Sequence, residues 1–292
     1  MVLASLLFAG MSACVKYAAA YFNSAELVCY RGLLGIALLW GLARLQGIQL
    51  ATAYPGMHFW RSLVGVLSLG AWFYALAALP LATATTLNYM SSVWIAVFLV
   101  GSSLLTWNPR DGSPLRQGPL VLTVVAGFVG VVLTLQPTIA QDQAFAGMVG
   151  LLSGFIAAFA YLQVTALARV GEPETRSVFY FALGSAVGGA VVMPFTGLSP
   201  WSWSGAVWLL PIGVLAAAGQ WCMTRAYAKG ATLVVANLQY SGILFSAIFG
   251  ALLFDDTIGL LSWLGMSVIV LSGIAATVLR ARAVPDTPGE NR

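Results

Sequence analysis

The sequence predicts an all-α integral membrane protein with ten transmembrane helices, arranged as two inverted five-helix repeats. Three observations lead to this prediction: an apolar composition, a series of long hydrophobic runs, and a repeat that relates the two halves. Hydrophobic residues make up 60% of the 292 residues, charged residues make up only 8%, and the mean hydropathy is +0.90. A soluble domain carries about 25% charged residues. The composition therefore indicates a protein of the lipid bilayer.

Ten apolar runs in the sequence are each close to the length that crosses a bilayer as a helix, which is about 20 residues. Charged residues, Gly and Pro clusters and short polar turns separate the runs. The predicted helices cover residues 2 to 20, 25 to 45, 56 to 78, 81 to 105, 117 to 135, 146 to 168, 175 to 194, 204 to 227, 230 to 253 and 259 to 280. We expect the fifth and tenth helices to lie outside the others as supports, because the fifth carries almost no polar residue.

The second half of the chain repeats the first at an offset of 149 positions. Two rare residue types coincide at this offset: Trp72 matches Trp221, and Asn88 matches Asn237. Each repeat holds five helices, and because this number is odd, the second copy must enter the membrane from the opposite side. Such inverted repeats are typical of secondary transporters. The predicted units are a first repeat at 1-136, a second repeat at 145-281 and a disordered cytoplasmic tail at 282-292.

Lysine and arginine residues near the helix ends predict how the chain lies in the membrane. Eleven of the 13 fall on the side that holds both termini, and only Lys16 and Arg31 fall on the other side. By the positive-inside rule both termini are therefore cytoplasmic. The formal charge of +4 reflects this distribution among the loops and indicates no nucleic-acid partner.

Two stretches of the sequence carry a resemblance to a known family. They are LVCYRGLLGIALLW at residues 27 to 40, which places Arg31 in the second helix, and ALAALPLATATTLNYMSSVWIAVF at residues 75 to 98. With the ten helices in two repeats, they resemble the drug/metabolite transporter superfamily, in its EamA-like family. Within that family the chain is most similar to bacterial aromatic amino-acid exporters of the YddG type. The resemblance implies a multi-pass transporter of the bacterial inner membrane that exports small metabolites, among them amino acids including aromatic ones, by alternating access.

Polar residues on the fourth and ninth predicted helices are the first candidates for contact with a substrate. Thr85, Asn88 and Ser92 share one helix face because they are three and four positions apart. Asn237 and Ser241 repeat the pattern in the second half. Because both halves carry the asparagine, Asn88 and Asn237 are interpreted either as packing residues between the repeats or as substrate-binding residues.

Polar and aromatic residues that have no copy in the other half are better candidates for recognising an asymmetric substrate. They add hydrogen-bonding groups to an apolar bundle, which is the composition of a small-molecule pocket. These residues are Tyr89, Ser91, Tyr161, Gln163, Gln239 and Tyr240. Trp72 and Trp221 follow Gly-rich stretches near mid-helix and are predicted to form an aromatic wall for the substrate.

Charged residues inside the bilayer are costly and are therefore candidates for function. Lys16 and Arg31 lie within the first and second predicted helices, where either cation can hold a substrate carboxylate. Alternatively, Arg31 forms a structural ion pair with Glu26, about one turn away. Arg61 and His58, near the cytoplasmic end of the third helix, are interpreted as interfacial groups.

The residue types that are missing from mid-membrane positions weigh against several classes of protein. No Asp or Glu lies at mid-membrane and the only histidine lies at its edge, so we expect transport down the substrate's own gradient without a proton relay. The sequence offers neither a metal cluster nor a nucleophile with a neighbouring base, and it contains no phosphate-binding loop. We therefore predict no enzyme activity, no cofactor and no metal.

The predicted partners are a small-molecule substrate and the lipid bilayer. The oligomeric state stays open, and a monomer is compatible with the sequence. We expect the first four helices of each repeat to surround a midplane cavity, while the repeats rock between inward-open and outward-open states. The predicted bending points are Gly65, Gly70, Pro80, Gly219 and Gly242. Two alternatives stay open: a transporter of nucleotide sugars, cations or drugs, and a non-transporting scaffold or lipid-modifying protein.

Overall fold

The computed structural model describes residues 1–105, 118–135, 144–255 and 259–283, and its regular structure is entirely helical. In chain order the helices are α1 (Val2–Ala18), α2 (Ser24–Gln46), α3 (Pro55–Ala78), α4 (Leu81–Tyr89), α5 (Ser91–Leu105), α6 (Gly118–Leu135), α7 (Ala144–Arg169), α8 (Glu174–Thr196), α9 (Trp203–Ala206), α10 (Leu209–Lys229), α11 (Thr232–Gln239), α12 (Ser241–Leu253) and α13 (Leu260–Ala283). The all-α prediction is confirmed for these residues. The tail at 284–292 and three basic residues used for the orientation, Arg110, Arg116 and Arg292, lie outside them.

Six helical segments of the described chain are long and apolar enough to cross a membrane. They are Ser24–Gln46, Pro55–Ala78, Ala144–Arg169, Glu174–Thr196, Trp203–Lys229 and Thr232–Leu253. α1 and the central parts of α6 and α13 are also apolar, over shorter lengths. The fold is that of a multi-pass membrane protein, and the count of ten spans stays a prediction.

The predicted fourth and ninth helices are each divided near the middle. α4 and α5 are separated at Met90, and α11 and α12 are separated at Tyr240. A serine follows each division, and the Ser241 hydroxyl donates to the carbonyl of Leu238 at 2.7 Å. Ser and Gly pairs, and side chains that bond to the backbone, bend helices. Each of the two predicted helices is therefore interrupted at one residue, while Thr232–Leu253 remains a single stretch long enough to cross a membrane.

The helices pair across the two halves of the chain. α2 packs along α8, α6 along α13, α3 along α7, and α1 along α10. At the offset of 149 positions, α2 corresponds to α8, α6 to α13, α1 to α7 and α3 to α10. If each helix is replaced by the corresponding helix of the other half, the same set of pairs results. The pair of α3 with α7, for example, becomes the pair of α10 with α1. The packing thus has the same two-fold pattern as the sequence repeat.

α2 and α8 approach each other closely through small residues. A Cβ on Gly32 would overlap the backbone of Ala186, and a Cβ on Gly189 would lie 2.6 Å from the backbone nitrogen of Cys29. Glycine permits this approach of two backbones, as it does in other membrane helix pairs. Cys29 precedes Gly32 in α2, whereas its neighbour Gly189 follows Ala186, the neighbour of Gly32, in α8. These two corresponding helices therefore run antiparallel, which is the relation that an inverted repeat predicts.

One end of the bundle, here named the Glu26 end, is held by the start of α2 and the loop after α8. Asn23 and Glu26 form a capping box, in which Asn23 Oδ1 accepts from the Glu26 nitrogen at 3.0 Å and Glu26 Oε2 accepts from the Asn23 nitrogen at 2.8 Å. The same carboxylate accepts from the backbone nitrogen and the hydroxyl of Ser199, at 2.8 and 2.6 Å. Glu26 therefore holds a loop and is not the ion-pair partner of Arg31.

The opposite end, here named the Glu172 end, joins the loop after α2 to the loop before α8. Glu172 accepts from Thr52 Oγ1 at 2.7 Å and from Arg176 Nη1 at 3.1 Å, and His58 Nε2 lies 3.2 Å from its Oε2. Burial raises the pKa of Glu172, but the hydrogen bonds and the Arg176 charge outweigh burial and hold the pKa below its ordinary value of 4.5. His58 is only 1% exposed, so it is buried within the protein at this end of the bundle.

Candidate substrate site

A narrow cavity lies inside the bundle, between α1, α2, α3, α4, α7, α8 and α10, so helices of both halves form its wall. Its open volume is about 40 Å³, which is room for about three water molecules. Small-molecule pockets have volumes of roughly 300 to 1,000 Å³, so the cavity must widen to admit a metabolite. The lining residues are Phe8, Met11, Arg31, Arg61, Gly65, Ser68, Leu69, Trp72, Asn88, Tyr89, Ala157, Ala160, Tyr161, Phe181 and Gln220.

Two arginines with buried side chains line this cavity. Arg31 and Arg61 are each 4% exposed, and their guanidinium carbons lie 5.3 and 4.2 Å from the centre of the Phe181 ring. The ring face stabilises both cations. Arg31 Nη1 also makes a long hydrogen bond of 3.5 Å to the Ser185 hydroxyl. Arg61, interpreted from the sequence as an interfacial group, is thus a buried cation of the cavity wall.

Neither arginine has a carboxylate partner in the described ranges. Those ranges contain four acidic residues, and none of them lines the cavity. Glu26 and Glu172 are bound at opposite ends of the bundle. Glu174 lies in the first turn of α8, and Asp255 follows α12. The positive charge at the cavity is therefore uncompensated within the described part of the chain.

Several buried polar atoms on the cavity wall have no hydrogen-bond partner in the described chain. They are Arg31 Nε, Arg61 Nη1, Trp72 Nε1, Tyr89 Oη and Gln220 Oε1, on side chains that are at most 8% exposed. Buried polar groups are normally paired, so a cluster of unpaired ones indicates a place for a ligand. Four of the five belong to N–H or O–H groups and one is a carbonyl oxygen, so this set offers more donors than acceptors.

The structure brings five of the predicted substrate-binding and charged residues to this wall, namely Arg31, Trp72, Asn88, Tyr89 and Tyr161, together with the predicted bending point Gly65. The Trp72 and Tyr89 rings lie 6.5 Å apart, centre to centre. They come from α3 and α4 of the first half, and Tyr161 comes from α7 of the second. The sequence predicts an aromatic wall of Trp72 and Trp221, but Trp221 is not among the lining residues, and Trp72 lies there with two tyrosines instead.

The duplicated asparagines differ in their surroundings. Asn88 faces the cavity, and its Nδ2 donates to Ser153 Oγ of α7 at 3.0 Å, so it links the two halves. Asn237 Oδ1 accepts from Ser272 Oγ of α13 at 3.4 Å, within the second half, and Asn237 is not on the wall. Asn88 thus lines the cavity and also links two helices of different halves, whereas Asn237 contacts α13 away from the cavity.

Gln239 and Ser91 form a polar cluster behind Tyr161. Gln239 Nε2 donates to the Tyr161 hydroxyl at 3.3 Å and lies 3.5 Å from Ser91 Oγ. The Tyr227 hydroxyl donates to Gln239 Oε1 at 3.2 Å, and the rings of Tyr161 and Tyr227 stack with centres 5.4 Å apart. This cluster orients Tyr161, while Gln239 and Ser91 do not themselves line the cavity.

The remaining residues selected from the sequence lie away from this wall: Lys16, Gln163, Trp221 and Tyr240. Lys16 Nζ donates to the carbonyl of Leu79, the residue that follows α3, at 2.7 Å. A cation is favourable at the C-terminal end of a helix, which explains its position. Trp221 Nε1 donates to the Thr175 hydroxyl at 3.3 Å, so this tryptophan is oriented by α8.

Three of the predicted bending points are sites of close packing. A Cβ on Gly65, Gly219 or Gly242 would overlap a neighbouring side chain. By contrast, Gly70 has nothing within 4 Å of that position, and Pro80 is the residue that precedes α4. A side chain at any of the first three positions would force a neighbouring side chain to shift. Bending at any of the five positions stays a prediction.

Other wall residues were not selected from the sequence. Phe8, Met11 and Phe181 are apolar, and in a membrane sequence they have no signal that separates a cavity from a core. Gln220 did have a signal, since it is polar, lies within a predicted helix and stands opposite Ala71 in the repeat.

Three known proteins similar to this chain are named as transporters or exporters, although no family model matches the chain. The chain is 33% identical to the pseudopaline exporter CntI of Pseudomonas aeruginosa over 281 residues, which cover 94% of this chain and 93% of that protein. It is 30% identical over 281 residues to an uncharacterized transporter of Helicobacter pylori, covering 93% of this chain and 91% of that protein. With a riboflavin transporter of Vibrio cholerae the identity is 27% over 286 residues, with coverages of 93% and 89%.

A solved crystal structure also matches the fold. Its TM-score is 0.71 at 19% sequence identity, and the match covers 95% of this chain and 98% of that one. This likeness shows a shared fold. The identity to the Pseudomonas exporter over nearly the whole of both chains shows more, because it establishes common ancestry. The chain therefore belongs to the family of transporters that includes the pseudopaline exporter of Pseudomonas aeruginosa.

Proposed function

We propose that this protein is a secondary transporter of the bacterial inner membrane that exports small metabolites by alternating access. The central cavity carries this proposal, because its wall joins helices of both halves and combines aromatic rings with hydrogen-bonding groups. Such a composition is expected of a small-molecule site. Amino acids, including aromatic ones, are the substrates to test first, since Trp72 and Tyr89 offer rings for stacking.

In this proposal the chain forms ten transmembrane helices as two inverted five-helix repeats, in an EamA-like arrangement of the drug/metabolite transporter superfamily. α4 with α5 makes one span, and α11 with α12 makes the corresponding span of the second repeat. The two-fold pattern of helix pairs and the antiparallel contact of α2 with α8 support this arrangement. Helices interrupted near the midplane are also a feature of inverted-repeat transporters.

Alternating access requires the two ends of the bundle to open in turn. The Glu172 end is tied by the bonds of Glu172 to Thr52 and Arg176, and the Glu26 end is tied by the bonds of Glu26 to Ser199. Release of one set of bonds while the other persists opens the cavity to one side of the membrane. The narrow cavity corresponds to a state between the two open ones.

The proposed direction is outward, from the cytoplasm at the Glu172 end. The loops and helix ends there carry Arg44, Arg169, Arg176 and Lys229, as the positive-inside rule requires of a cytoplasmic side. The Pseudomonas relative is named an exporter, and the Vibrio relative is named a riboflavin transporter. Because these two relatives are named for different solutes, the substrate of this chain has to be identified by experiment.

Counterflow into liposomes that contain only this chain tests the proposed function. The liposomes are loaded with an unlabelled amino-acid mixture, and the uptake of labelled phenylalanine, tryptophan or leucine is followed. We expect transient accumulation above that of protein-free liposomes. The same assay is repeated with riboflavin, the solute for which the Vibrio relative is named. Absence of counterflow for every solute would favour a non-transporting membrane protein.

A pair of variants on α7 controls this assay. Ala157→Trp fills the cavity from its wall and is expected to abolish counterflow. Leu152→Trp adds the same side chain on the same helix at a position that is 53% exposed and away from the cavity, and it is expected to retain counterflow. Equal activity of the two variants would show that solute does not pass through this cavity.

A further inference from the structure

Two buried arginines give the cavity a positive charge, and this charge indicates which class of substrate the cavity binds. Arg31 and Arg61 line the same cavity, and both guanidinium groups lie within 5.3 Å of the centre of the Phe181 ring. One small molecule in this cavity is therefore placed to contact both. A charge buried in a membrane protein is costly unless an opposite charge or a ligand accompanies it. No carboxylate of the described residues supplies that opposite charge.

The unpaired hydrogen-bonding atoms of the wall lead to the same conclusion. Arg31, Arg61 and Trp72 each carry an unpaired group that can donate, whereas Gln220 carries an unpaired acceptor. The Tyr89 hydroxyl lies against Gly242 of α12, so only the ring of Tyr89 is assigned to the cavity. A ligand that satisfies this set must bring several acceptor oxygens and few donors. An ionised carboxylate has acceptor oxygens only, and arginine binds it through charge-assisted bonds that are often bidentate.

A free amino acid matches this wall incompletely. Its carboxylate suits one arginine, but its ammonium group adds a third positive charge to a cavity that already holds two. Like charges repel strongly where the surroundings are apolar. A second carboxylate in place of the ammonium group removes this repulsion and gives the other arginine a partner.

We propose that the cavity binds a small organic anion with two carboxylates, one at Arg31 and the other at Arg61, and that the apolar or aromatic part of this anion packs against Trp72 and Tyr89. The inference rests on the proposed transport function and narrows its substrate class to metabolites with a net negative charge. A membrane potential that is negative inside favours the export of such an anion. Export therefore needs no proton relay.

Ligand-induced stabilisation of the purified full-length chain tests this binding. The probes are phenylsuccinate, an aromatic dicarboxylate; phenylalanine, its zwitterionic counterpart; phenylalaninamide, a cation; and inorganic phosphate. We expect the unfolding midpoint to rise with phenylsuccinate, much less with phenylalanine, and not with the other two. A rise with phosphate equal to that with phenylsuccinate, or a larger rise with phenylalanine, would overturn the assignment of two carboxylates.

Arginine variants locate the binding. Arg31→Gln and Arg61→Gln are each expected to weaken phenylsuccinate binding at least about tenfold. Arg44→Gln, on the exposed side of α2, is the matched control and should bind like the original chain. Because an unpaired buried charge is itself destabilising, the ligand-free midpoints of the two cavity variants should not fall. Unchanged phenylsuccinate binding in both would contradict the inference.

A second pair of variants keeps the positive charge. Arg31→Lys and Arg61→Lys retain a cation but lose the forked geometry that suits a carboxylate. They are expected to bind phenylsuccinate more weakly than the original chain and more tightly than the glutamine variants. If a glutamine variant does not fold, equal phenylsuccinate affinity of the lysine variants and the original chain would contradict the inference.

Counterflow of labelled phenylsuccinate separates this inference from the proposed function. Transport of phenylsuccinate that Arg61→Gln abolishes supports both. Transport of phenylalanine but not of phenylsuccinate supports the function and contradicts the inference. If no solute is transported while phenylsuccinate still binds, the proposed function is wrong and the assignment of the binding site stands.

Discussion

Arg61 lies across Gly65, one turn further along α3, so its guanidinium occupies the space where any other residue would carry a side chain. A Cβ on Gly65 would also lie 2.8 Å from Cε2 of Phe181, the ring over which Arg61 is placed. The absence of a side chain at Gly65 therefore allows a buried cation to lie between α3 and α8, at the wall of the cavity.

Replacing Gly65 by alanine is expected to displace the Arg61 guanidinium and to weaken phenylsuccinate binding about tenfold. Overpacking that a flexible side chain can relieve costs on the order of 1 kcal/mol, so the variant should still fold. The measurement is the dependence of the unfolding midpoint on phenylsuccinate concentration, together with the midpoint of the ligand-free protein.

Gly70→Ala in the same helix is the matched control, because nothing lies within 4 Å of a Cβ there. It should stabilise the protein by about 0.5–1 kcal/mol and leave the affinity unchanged. If both variants slow transport without changing affinity, Gly65 acts as a bending point and the explanation from close packing is wrong.

The two asparagines should respond differently to substitution. Asn88→Ala removes the bond to Ser153 and a polar group of the cavity, so it is expected to lower stability by on the order of 1 kcal/mol and also to change solute preference. Asn237→Ala removes only a contact with Ser272 and is expected to change stability alone. The measurements are the unfolding midpoint and counterflow with a panel of solutes. A change in preference in the Asn237 variant alone would reverse these assignments.

Acidification should weaken the Glu172 end. Because the pKa of Glu172 is held below 4.5 in the folded protein, its carboxylate contributes stability that is fully present above pH 4.5 and is lost as the pH falls through the folded pKa. Glu172→Gln should therefore lower the unfolding midpoint at neutral pH and flatten its decline in acid. Thr52→Val, which removes one of the hydrogen bonds, should give an intermediate curve. Parallel curves for the original chain and Glu172→Gln would contradict this role.

The orientation can be tested with one cysteine at each end of the bundle. Ala51 is exposed in the loop at the Glu172 end, and Leu198 is 72% exposed in the loop at the Glu26 end. A membrane-impermeant thiol reagent should label Ala51→Cys only from the cytoplasmic side and Leu198→Cys only from outside. The reverse pattern would place both termini outside the cell.

The positions of the helices follow from hydropathy, because a span must be continuously apolar to lie in lipid. α2, for example, was expected over 25 to 45 and is found over Ser24–Gln46. The divisions at Met90 and Tyr240 leave the apolar run unbroken. At Tyr240 the division coincides with a bond from the Ser241 hydroxyl to the Leu238 carbonyl, a local contact that hydropathy does not reveal.

The cavity was harder to predict, because burial of a charge depends on what packs beside it. Lys16 and Arg61 both lie near helix ends, where a long side chain can reach the membrane surface. Lys16 instead bonds to the end of α3, and Arg61 turns inward because Gly65 leaves room and Phe181 supplies a ring. Phe181 belongs to the other half of the chain, so only the tertiary fold brings it to Arg61.

Alternating access requires that the cavity beside Arg61 be reached from each side of the membrane in turn. A single cysteine at Ala160, on the cavity wall, tests this in a chain whose native cysteines, Cys14, Cys29 and Cys222, are replaced by alanine. The measurement is the rate of labelling by an impermeant thiol reagent in right-side-out and in inside-out vesicles. We predict slow labelling from both sides and protection by phenylsuccinate on each. Labelling from one side alone, or labelling that no solute slows, would contradict transport through this cavity.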